Sequence, residues 1–303
     1  MPVLPETHPA PSPVILEPLP RGQWRSVLQQ SRTGEGAFGR LEAGEWSGVF
    51  LRRLPAARPW SALNDLEITE ADWRGAFEAI LEGVDGDWRR YKHDHSGTVA
   101  GGAVDLAGRR AGVVAKRPRR TRATQWAVDL FRPARARRSW IKTWKLFVRG
   151  LPTEVPLLVM ERRSGLVVAD NLVVFELVPG ELIEKLDLDE LPHAGRSALL
   201  RAVGETIRTT ERHGFAHLDA KTSNWIAYPA AGGRTPVMID CDGVRHHPAP
   251  GAGLKRFLKA LARHPRFRAG DARDVCDGYA PGGWPRRVRS MHDRYAAPKP
   301  PTP

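Results

Sequence analysis

The sequence predicts an α+β fold, in which short antiparallel strands fill the middle of the chain and helices dominate its C-terminal third. Three apolar runs have the length and composition of strands. They are residues 112–116, 157–160 and 172–178. Other segments carry apolar residues at helical spacing. They are residues 69–82, 134–148, 253–263 and 271–279, and the helix that contains Leu199, Leu200, Val203 and Ile207.

Composition excludes several classes of protein. A chain of 303 residues with 41% hydrophobic content can bury a core, as one two-lobed domain or as two small ones. Its longest apolar stretches are far shorter than the roughly 20 residues that a membrane span needs. The two cysteines, Cys241 and Cys276, exclude a disulfide framework and suit a reducing compartment. The N-terminus does not resemble a secretory signal, so we expect a cytoplasmic protein.

The charge of the chain is strongly positive, at +13 with a pI near 10.4. Basic residues cluster in residues 116–122 and 132–145, where tryptophans are interspersed. Such clusters suit the phosphates of an anionic membrane surface or a nucleic-acid backbone, but an ordinary solvated face explains them equally well. Nucleic-acid binding rests on charge alone, and we do not favour it.

The N-terminal region divides into two segments. Residues 1–20 are rich in proline and are predicted to form a disordered tail. Residues 21–90 are predicted to be an N-terminal extension. Within it, GEGAFG at residues 34–39 matches the G-x-G-x-x-G pattern of phosphate-binding loops. The chain has no lysine after this motif until Lys92, so a plain turn is the favoured interpretation.

One loop carries residues suited to phosphoryl transfer. His217, Asp219, Lys221 and Asn224 have the spacing H-x-D-x-K-x-x-N, and an apolar run after them ends at Asp240. A carboxylate on a rigid loop can orient an attacking hydroxyl and accept its proton, and Asp219 is the candidate. Lys221 would reach the transferred phosphate. The oxygens of Asn224 and Asp240 suit Mg²⁺, and His217 is expected to shape the loop.

The predicted hairpin after this loop brings the metal ligands together. Residues 225–227 and 236–239 form its strands, and residues 229–235 form the turn. Asn224 and Asp240 would then lie at nearby ends of one hairpin. Asp242 is the rival metal ligand, but the apolar residues directly before Asp240 favour the earlier acid.

HLDAKTSN at residues 217–224 and VMID at residues 237–240 resemble the protein-kinase-like fold, whose loop is H-R-D-x-K-x-x-N. The chain further resembles the bacterial lipopolysaccharide inner-core kinases, which phosphorylate Kdo or heptose, over residues 91–280. That resemblance lies in the segments at 137–163, 172–183 and 238–245. It implies a small antiparallel-sheet N-lobe at 91–178, a reduced, mainly helical C-lobe at 179–285, and a tail at 286–303.

The same resemblance implies a kinase that uses ATP and Mg²⁺ and transfers phosphate to a sugar hydroxyl of a glycolipid. A smaller acceptor, of aminoglycoside or choline type, is the alternative. Because the acceptor is a membrane glycolipid, attachment to the inner face of the inner membrane is also implied.

The N-lobe would hold the nucleotide. GVVAK at residues 112–116 is similar to the kinase strand V-A-I-K, which makes Lys116 the nucleotide lysine. Ser96 and Gly97 would belong to the phosphate loop. The backbone of Glu176 and Val178 would bind the adenine edge at a hinge.

One departure from the kinase pattern concerns the partner of Lys116. Protein kinases hold this lysine with a glutamate from a neighbouring helix, but residues 134–148 contain no acidic residue. Either Glu154 or Glu161 replaces it, or the ion pair is missing. A missing pair would favour an inactive pseudokinase that acts as a binding protein.

Overall fold

The computed structural model describes residues 16–119 and 133–297 of the chain. They form two compact units. The sheet unit comprises residues 16–178 and 240–242, and the helical unit comprises residues 179–239 and 243–297. The predicted tail at residues 1–20 and the basic clusters at 116–122 and 132–145 lie partly outside the described residues.

A seven-stranded antiparallel sheet forms the centre of the sheet unit. Its strands are β1 (Phe38–Ala43), β2 (Trp46–Leu51), β3 (Arg89–Asp94), β4 (Gly97–Leu106), β5 (Arg109–Pro118), β6 (Pro156–Ser164) and β7 (Val167–Glu176). They are arranged in the order β1-β2-β6-β7-β5-β4-β3. The predicted strands correspond to parts of β5, β6 and β7, so the α+β class and the antiparallel sheet are confirmed.

The predicted extension at residues 21–90 contributes β1, β2 and the first two residues of β3 to this same sheet. β2 pairs with β6 along Trp46 to Phe50, and β3 pairs with β4. The glycine-rich segment 34–39 is a turn that joins a helix to β1, and Gly34 terminates the helix with a φ of 74°. The sequence missed β1 and β2 because each has only six residues. β1 mixes charged with apolar positions, and Ser47 and Gly48 interrupt the apolar residues of β2.

Three described helices accompany the sheet: α1 (Arg21–Thr33), α2 (Glu70–Asp85) and α3 (Arg135–Phe147). α2 begins at a capping box, in which the Asp72 amide donates to Thr69 Oγ1 at 3.2 Å and the Thr69 amide donates to Asp72 Oδ2 at 2.8 Å. α3 buries Trp140 and Trp144 completely. The Trp144 ring lies 4.9 Å from Phe38 in an edge-to-face contact, which packs α3 onto β1.

The helical unit contains four helices and three antiparallel pairings of short strands. Its helices are α4 (His193–Arg212), α5 (Ala252–Leu261), α6 (Ala269–Tyr279) and α7 (Arg286–Tyr295). Its strands are β8 (Glu181–Leu182), β9 (Phe215–His217), β10 (Trp225–Ala230), β11 (Gly233–Met238) and β12 (Val244–His246). β10 pairs with β11 as the predicted hairpin, and β9 pairs with β12.

Residues 286–295, which the sequence assigns to a tail, form helix α7. Val288, Met291 and Tyr295 are buried along one face of this helix. Their spacing of three and four residues is helical, but the six charged or histidine positions among them hide the pattern in the sequence. No helix in the described ranges has both the length and the apolar composition to cross a membrane.

Candidate active site

The loop from residue 217 to residue 224 is fixed by a histidine, as predicted. The Asp219 amide donates to His217 Nδ1 at 3.2 Å, so this nitrogen is an acceptor and the ring proton resides on Nε2. Nε2 then donates to the Ile239 carbonyl oxygen at 3.1 Å. His217 is buried, with 3% of its surface exposed. One buried imidazole thus holds the catalytic-loop candidate against the end of the β10–β11 hairpin.

Asp219, Lys221 and Asn224 lie together on this loop. The Asn224 side-chain amide donates to the Asp219 carbonyl at 2.7 Å and to Asp219 Oδ2 at 3.0 Å. Because both partners are acceptors, the amide orientation is defined and Asn224 Oδ1 faces away from them. Among the described residues, Oδ1 accepts no hydrogen bond. Lys221 Nζ lies 3.4 Å from Asp219 Oδ2.

Asp219 and Lys221 are exposed to solvent, whereas Asn224 is buried. The Asp219 and Lys221 side chains are about half exposed, at 52% and 53%. Asn224 is buried, and its main chain donates to Lys221 and accepts from Ile239. A carboxylate and an ammonium are therefore presented to solvent on a backbone that buried hydrogen bonds hold rigid.

Lys116 on β5 forms a buried ion pair with Glu154. Its Nζ lies 3.1 Å from Glu154 Oε1 and 3.3 Å from Oε2, and it lies 4.6 Å from the centre of the Phe175 ring. Glu154 follows α3 in the chain, whereas Glu161 pairs with Arg163 at 2.9 Å. The structure thus decides between the two predicted partners in favour of Glu154.

The same cluster contains Asp240. Its Oδ1 lies 3.7 Å from Lys116 Nζ, and its amide donates to Glu154 Oε1 at 2.9 Å. Burial alone would lower the pKa of Lys116, but the charges of Glu154 and Asp240 outweigh burial and raise it. Burial raises the pKa of Glu154, and the Lys116 ammonium opposes that rise. The contact with Glu154 at 3.1 Å and the nearby Asp240 carboxylate keep Lys116 protonated.

Asp240 and its rival Asp242 have different surroundings. The Asp240 side chain is 41% exposed, and its backbone has a φ of 57°, a left-handed conformation that Asp tolerates better than most residues. Asp242 Oδ atoms instead lie 3.1 Å from Arg135, 3.7 Å from Arg138 and 3.5 Å from Lys142. Three cations of α3 hold Asp242, a contact that the sequence did not predict because it joins positions about a hundred residues apart.

The predicted phosphate loop is the tight turn between β3 and β4. Ser96 donates to Asp94 Oδ1 through its amide at 2.8 Å and through its hydroxyl at 2.7 Å, which holds the pKa of Asp94 down at about 2. Gly97 has a φ of 142°, and a Cβ at this position would lie 2.6 Å from the Arg117 carbonyl oxygen. The turn requires glycine at 97, but the Asp94 carboxylate already occupies the Ser96 donors.

The predicted hinge lies at the end of β7. The Glu176 amide donates to the Val155 carbonyl at 2.9 Å and the Leu177 amide donates to Gly112 at 2.9 Å. The Val178 amide donates to no acceptor in the part of the chain that the structure describes. Of the two predicted hinge residues, Glu176 therefore has an occupied amide, and Val178 does not among the described residues.

The side chain of Glu176 has a role that the sequence did not reveal. It is 3% exposed, and its Oε1 accepts a hydrogen bond from the Ala62 amide at 2.6 Å. Burial raises its pKa to about 7. Glu176 therefore ties the end of β7 to the segment before α2.

Comparisons with known proteins give limited information. No family model matches the sequence, and no curated protein matches it. Among solved structures, the chain is similar to one described as WaaP in complex with acyl carrier protein, at 17% sequence identity and a TM-score of 0.48. That match covers 73% of this chain and 90% of the other. A likeness of this strength leaves the function to be inferred from the residues themselves.

Proposed function

We propose that this protein is an ATP- and Mg²⁺-dependent phosphotransferase with a protein-kinase-like fold, whose N-lobe is the sheet unit and whose C-lobe is the helical unit. The single observation that best supports the proposal is the ion pair between Lys116 and Glu154. Protein kinases likewise hold a strand lysine with a glutamate so that the lysine orients the nucleotide phosphates, although there the glutamate lies on a neighbouring helix. The ion pair here supplies the glutamate partner whose absence would favour a pseudokinase.

The donor set suits Mg²⁺. Asp240 offers an exposed carboxylate, and Asn224 offers an Oδ1 that accepts no hydrogen bond among the described residues. Both are hard oxygen ligands of the kind that Mg²⁺ prefers. When bound, the ion would neutralise charge on the phosphates. Asp242, with three cations around it, is the weaker candidate.

Asp219 is proposed as the base and Lys221 as a phosphate ligand. The exposed Asp219 carboxylate would orient the acceptor hydroxyl and take its proton as the phosphate is transferred. Asn224 holds Asp219 in position through two hydrogen bonds. Lys221, at 3.4 Å from Asp219, would bind the transferred phosphate.

The proposed acceptor is a sugar hydroxyl of the lipopolysaccharide inner core, Kdo or heptose. The support is the resemblance of segments 137–163, 172–183 and 238–245 to the inner-core kinases. The cytosolic face of the inner membrane is the corresponding proposed location. Ser96, Gly97 and the backbone of Glu176 and Val178 are proposed to contact ATP. The support for Val178 is that its amide donates to no acceptor among the described residues.

The test is ATP consumption by the purified protein with Mg²⁺ and dephosphorylated lipopolysaccharide core. Asp219→Asn should reduce turnover by roughly two to four orders of magnitude, as loss of a general base does. Its matched control is Asp105→Asn, which changes an exposed aspartate on β4. Turnover in the Asp219→Asn variant equal to the wild type would contradict the proposal. Turnover only with an aminoglycoside or choline would retain the phosphotransferase and replace the acceptor.

A further inference from the structure

A cluster of basic side chains occupies the face of the sheet unit formed by α1, α3 and the ends of β1 and β6. Arg137 Nη2 donates to the Arg32 carbonyl at 2.7 Å, and Arg40 Nε donates to the Thr33 carbonyl at 2.8 Å. We define the basic face by six residues. They are Arg32, Arg40, Arg137, Lys145, Arg149 and Arg163.

The charges of the basic face repel one another. Burial lowers the pKa of Arg137 and the Glu161 carboxylate raises it, whereas the charges of Arg32, Arg163 and Arg40 lower it. Burial likewise lowers the pKa of Lys145, with Arg32 and Arg149 adding to the effect. Like charges held this close destabilise a fold unless an anionic partner offsets them.

Few carboxylates neutralise this face. Neither α1 nor α3 contains an Asp or a Glu. Within the described ranges, Arg32 and Arg40 form no ion pair, and Arg163 pairs with Glu161 at 2.9 Å. The face therefore keeps a clear excess of positive charge.

An exposed leucine lies on the β6–β7 hairpin that carries Arg163. Leu166 is 84% exposed at the tip of the β6–β7 hairpin, where Gly165 makes the turn with a φ of 59°. It is three residues from Arg163. Among the exposed large hydrophobic side chains of the described residues it is the most accessible. A leucine held out on a tight turn loses little further conformational entropy when it enters an apolar layer.

From this combination we infer that the basic face, with Leu166 at its edge, docks on the surface of an anionic lipid bilayer. The cations bind lipid phosphates, and Leu166 inserts at the boundary between headgroups and acyl chains. A nucleic acid would use the cations but has no apolar layer to accept the leucine. The inference deepens the membrane location proposed above, yet it rests on charge and exposure and needs no phosphotransferase activity.

The experiment measures binding of the full chain, without ATP, to phosphatidylcholine vesicles that contain phosphatidylglycerol. The triple variant Arg32→Gln, Arg40→Gln, Arg163→Gln should bind on the order of 100-fold more weakly, at about fivefold for each cation. Leu166→Ser, which leaves the charge unchanged, should weaken binding on the order of tenfold. Addition of salt should weaken binding of the wild type more than that of the triple variant.

The matched control removes three exposed cations from α5, with Lys255→Gln, Arg256→Gln and Lys259→Gln. It changes the net charge equally and should retain most of the vesicle binding. Equal losses in both triple variants would overturn the inference, because binding would then follow net charge alone. So would absence of vesicle binding, or binding to a DNA duplex that depends on the same three arginines while Leu166→Ser has no effect on vesicles. Circular dichroism checks that each variant is folded. Failure here leaves the ATP assay unaffected.

Discussion

At position 154 a buried carboxylate is held between the Lys116 ammonium and the Asp240 amide. Removing the charge of Lys116 or of Glu154 leaves the other charge buried without its main counter-ion. For typical buried ion pairs this costs about 3 to 5 kcal/mol of folding stability. Lys116→Met should therefore destabilise the protein strongly, because Glu154 loses its counter-ion. Glu154→Gln should cost less, since Asp240 still faces Lys116 at 3.7 Å. Urea denaturation measures both free energies of unfolding.

The double variant Lys116→Met, Glu154→Gln measures the interaction free energy between the two side chains. It should be more stable than the sum of the single changes predicts, by about 1 to 3 kcal/mol, because residues in contact are not additive. Additive losses would mean that the two side chains do not interact in the folded protein.

Glu176 should make the stability of the protein fall as pH rises. Its pKa is raised from 4.5 to about 7 by burial, so the folded state keeps a proton that the unfolded chain has already lost. As pH rises from 4.5 to about 7, the free energy of unfolding should fall by up to about 3 kcal/mol. Glu176→Gln abolishes this titration and keeps an acceptor for the Ala62 amide. Its stability relative to the wild type should increase between about pH 5 and about pH 8.

Denaturation midpoints at several pH values measure that difference. Glu181→Gln is the control, because Glu181 is exposed on β8. A constant difference between Glu176→Gln and the wild type at every pH would contradict a protonated Glu176.

At the scale of elements, helix α7 offers a clear test. Met291 is buried at 8% exposure, whereas Arg289 lies on the exposed face of the same helix. Met291→Asp places a carboxylate among apolar neighbours and should cost a few kcal/mol, while Arg289→Asp should cost less than about 1 kcal/mol. Thermal unfolding compares the two. Equal effects would mean that α7 does not pack as a helix on the rest of its unit.

The elements that the sequence predicted are those with long and regular patterns. Residues 157–160 of β6 and 172–175 of β7 are continuous apolar runs and are buried, whereas β5 buries only alternate residues. The capping residues Thr69 and Asp72 mark the start of α2. β1 and α7 were missed because charged residues interrupt their apolar positions. β2 was missed because it is short and its burial depends on pairing with β6, which is distant in the chain. The sequence motif predicted Lys116. Only the tertiary contacts show that Glu154, rather than Glu161, is its partner and that Asp242 forms ion pairs with α3.

At the scale of the whole molecule, ATP with Mg²⁺ should stabilise the protein. A ligand that binds only the folded state adds about 2.7 kcal/mol at a hundred times its dissociation constant. A rise in the melting temperature with ATP and Mg²⁺, absent in Lys116→Gln, is the expected result. A rise that persists unchanged in Lys116→Gln would place the nucleotide elsewhere. Stabilisation without turnover would favour a binding protein over an enzyme.

The position of β1 and β2 in the sheet has a practical consequence for anyone who trims the chain. A fragment that starts at residue 91, where the resemblance to kinases begins, would lack both strands and leave β6 as a bare edge. Residues Leu157 to Met160 on that strand are fully buried in the intact protein. Such a long apolar edge recruits other chains, so the fragment should aggregate or swap strands even though it retains the whole H-x-D-x-K-x-x-N loop.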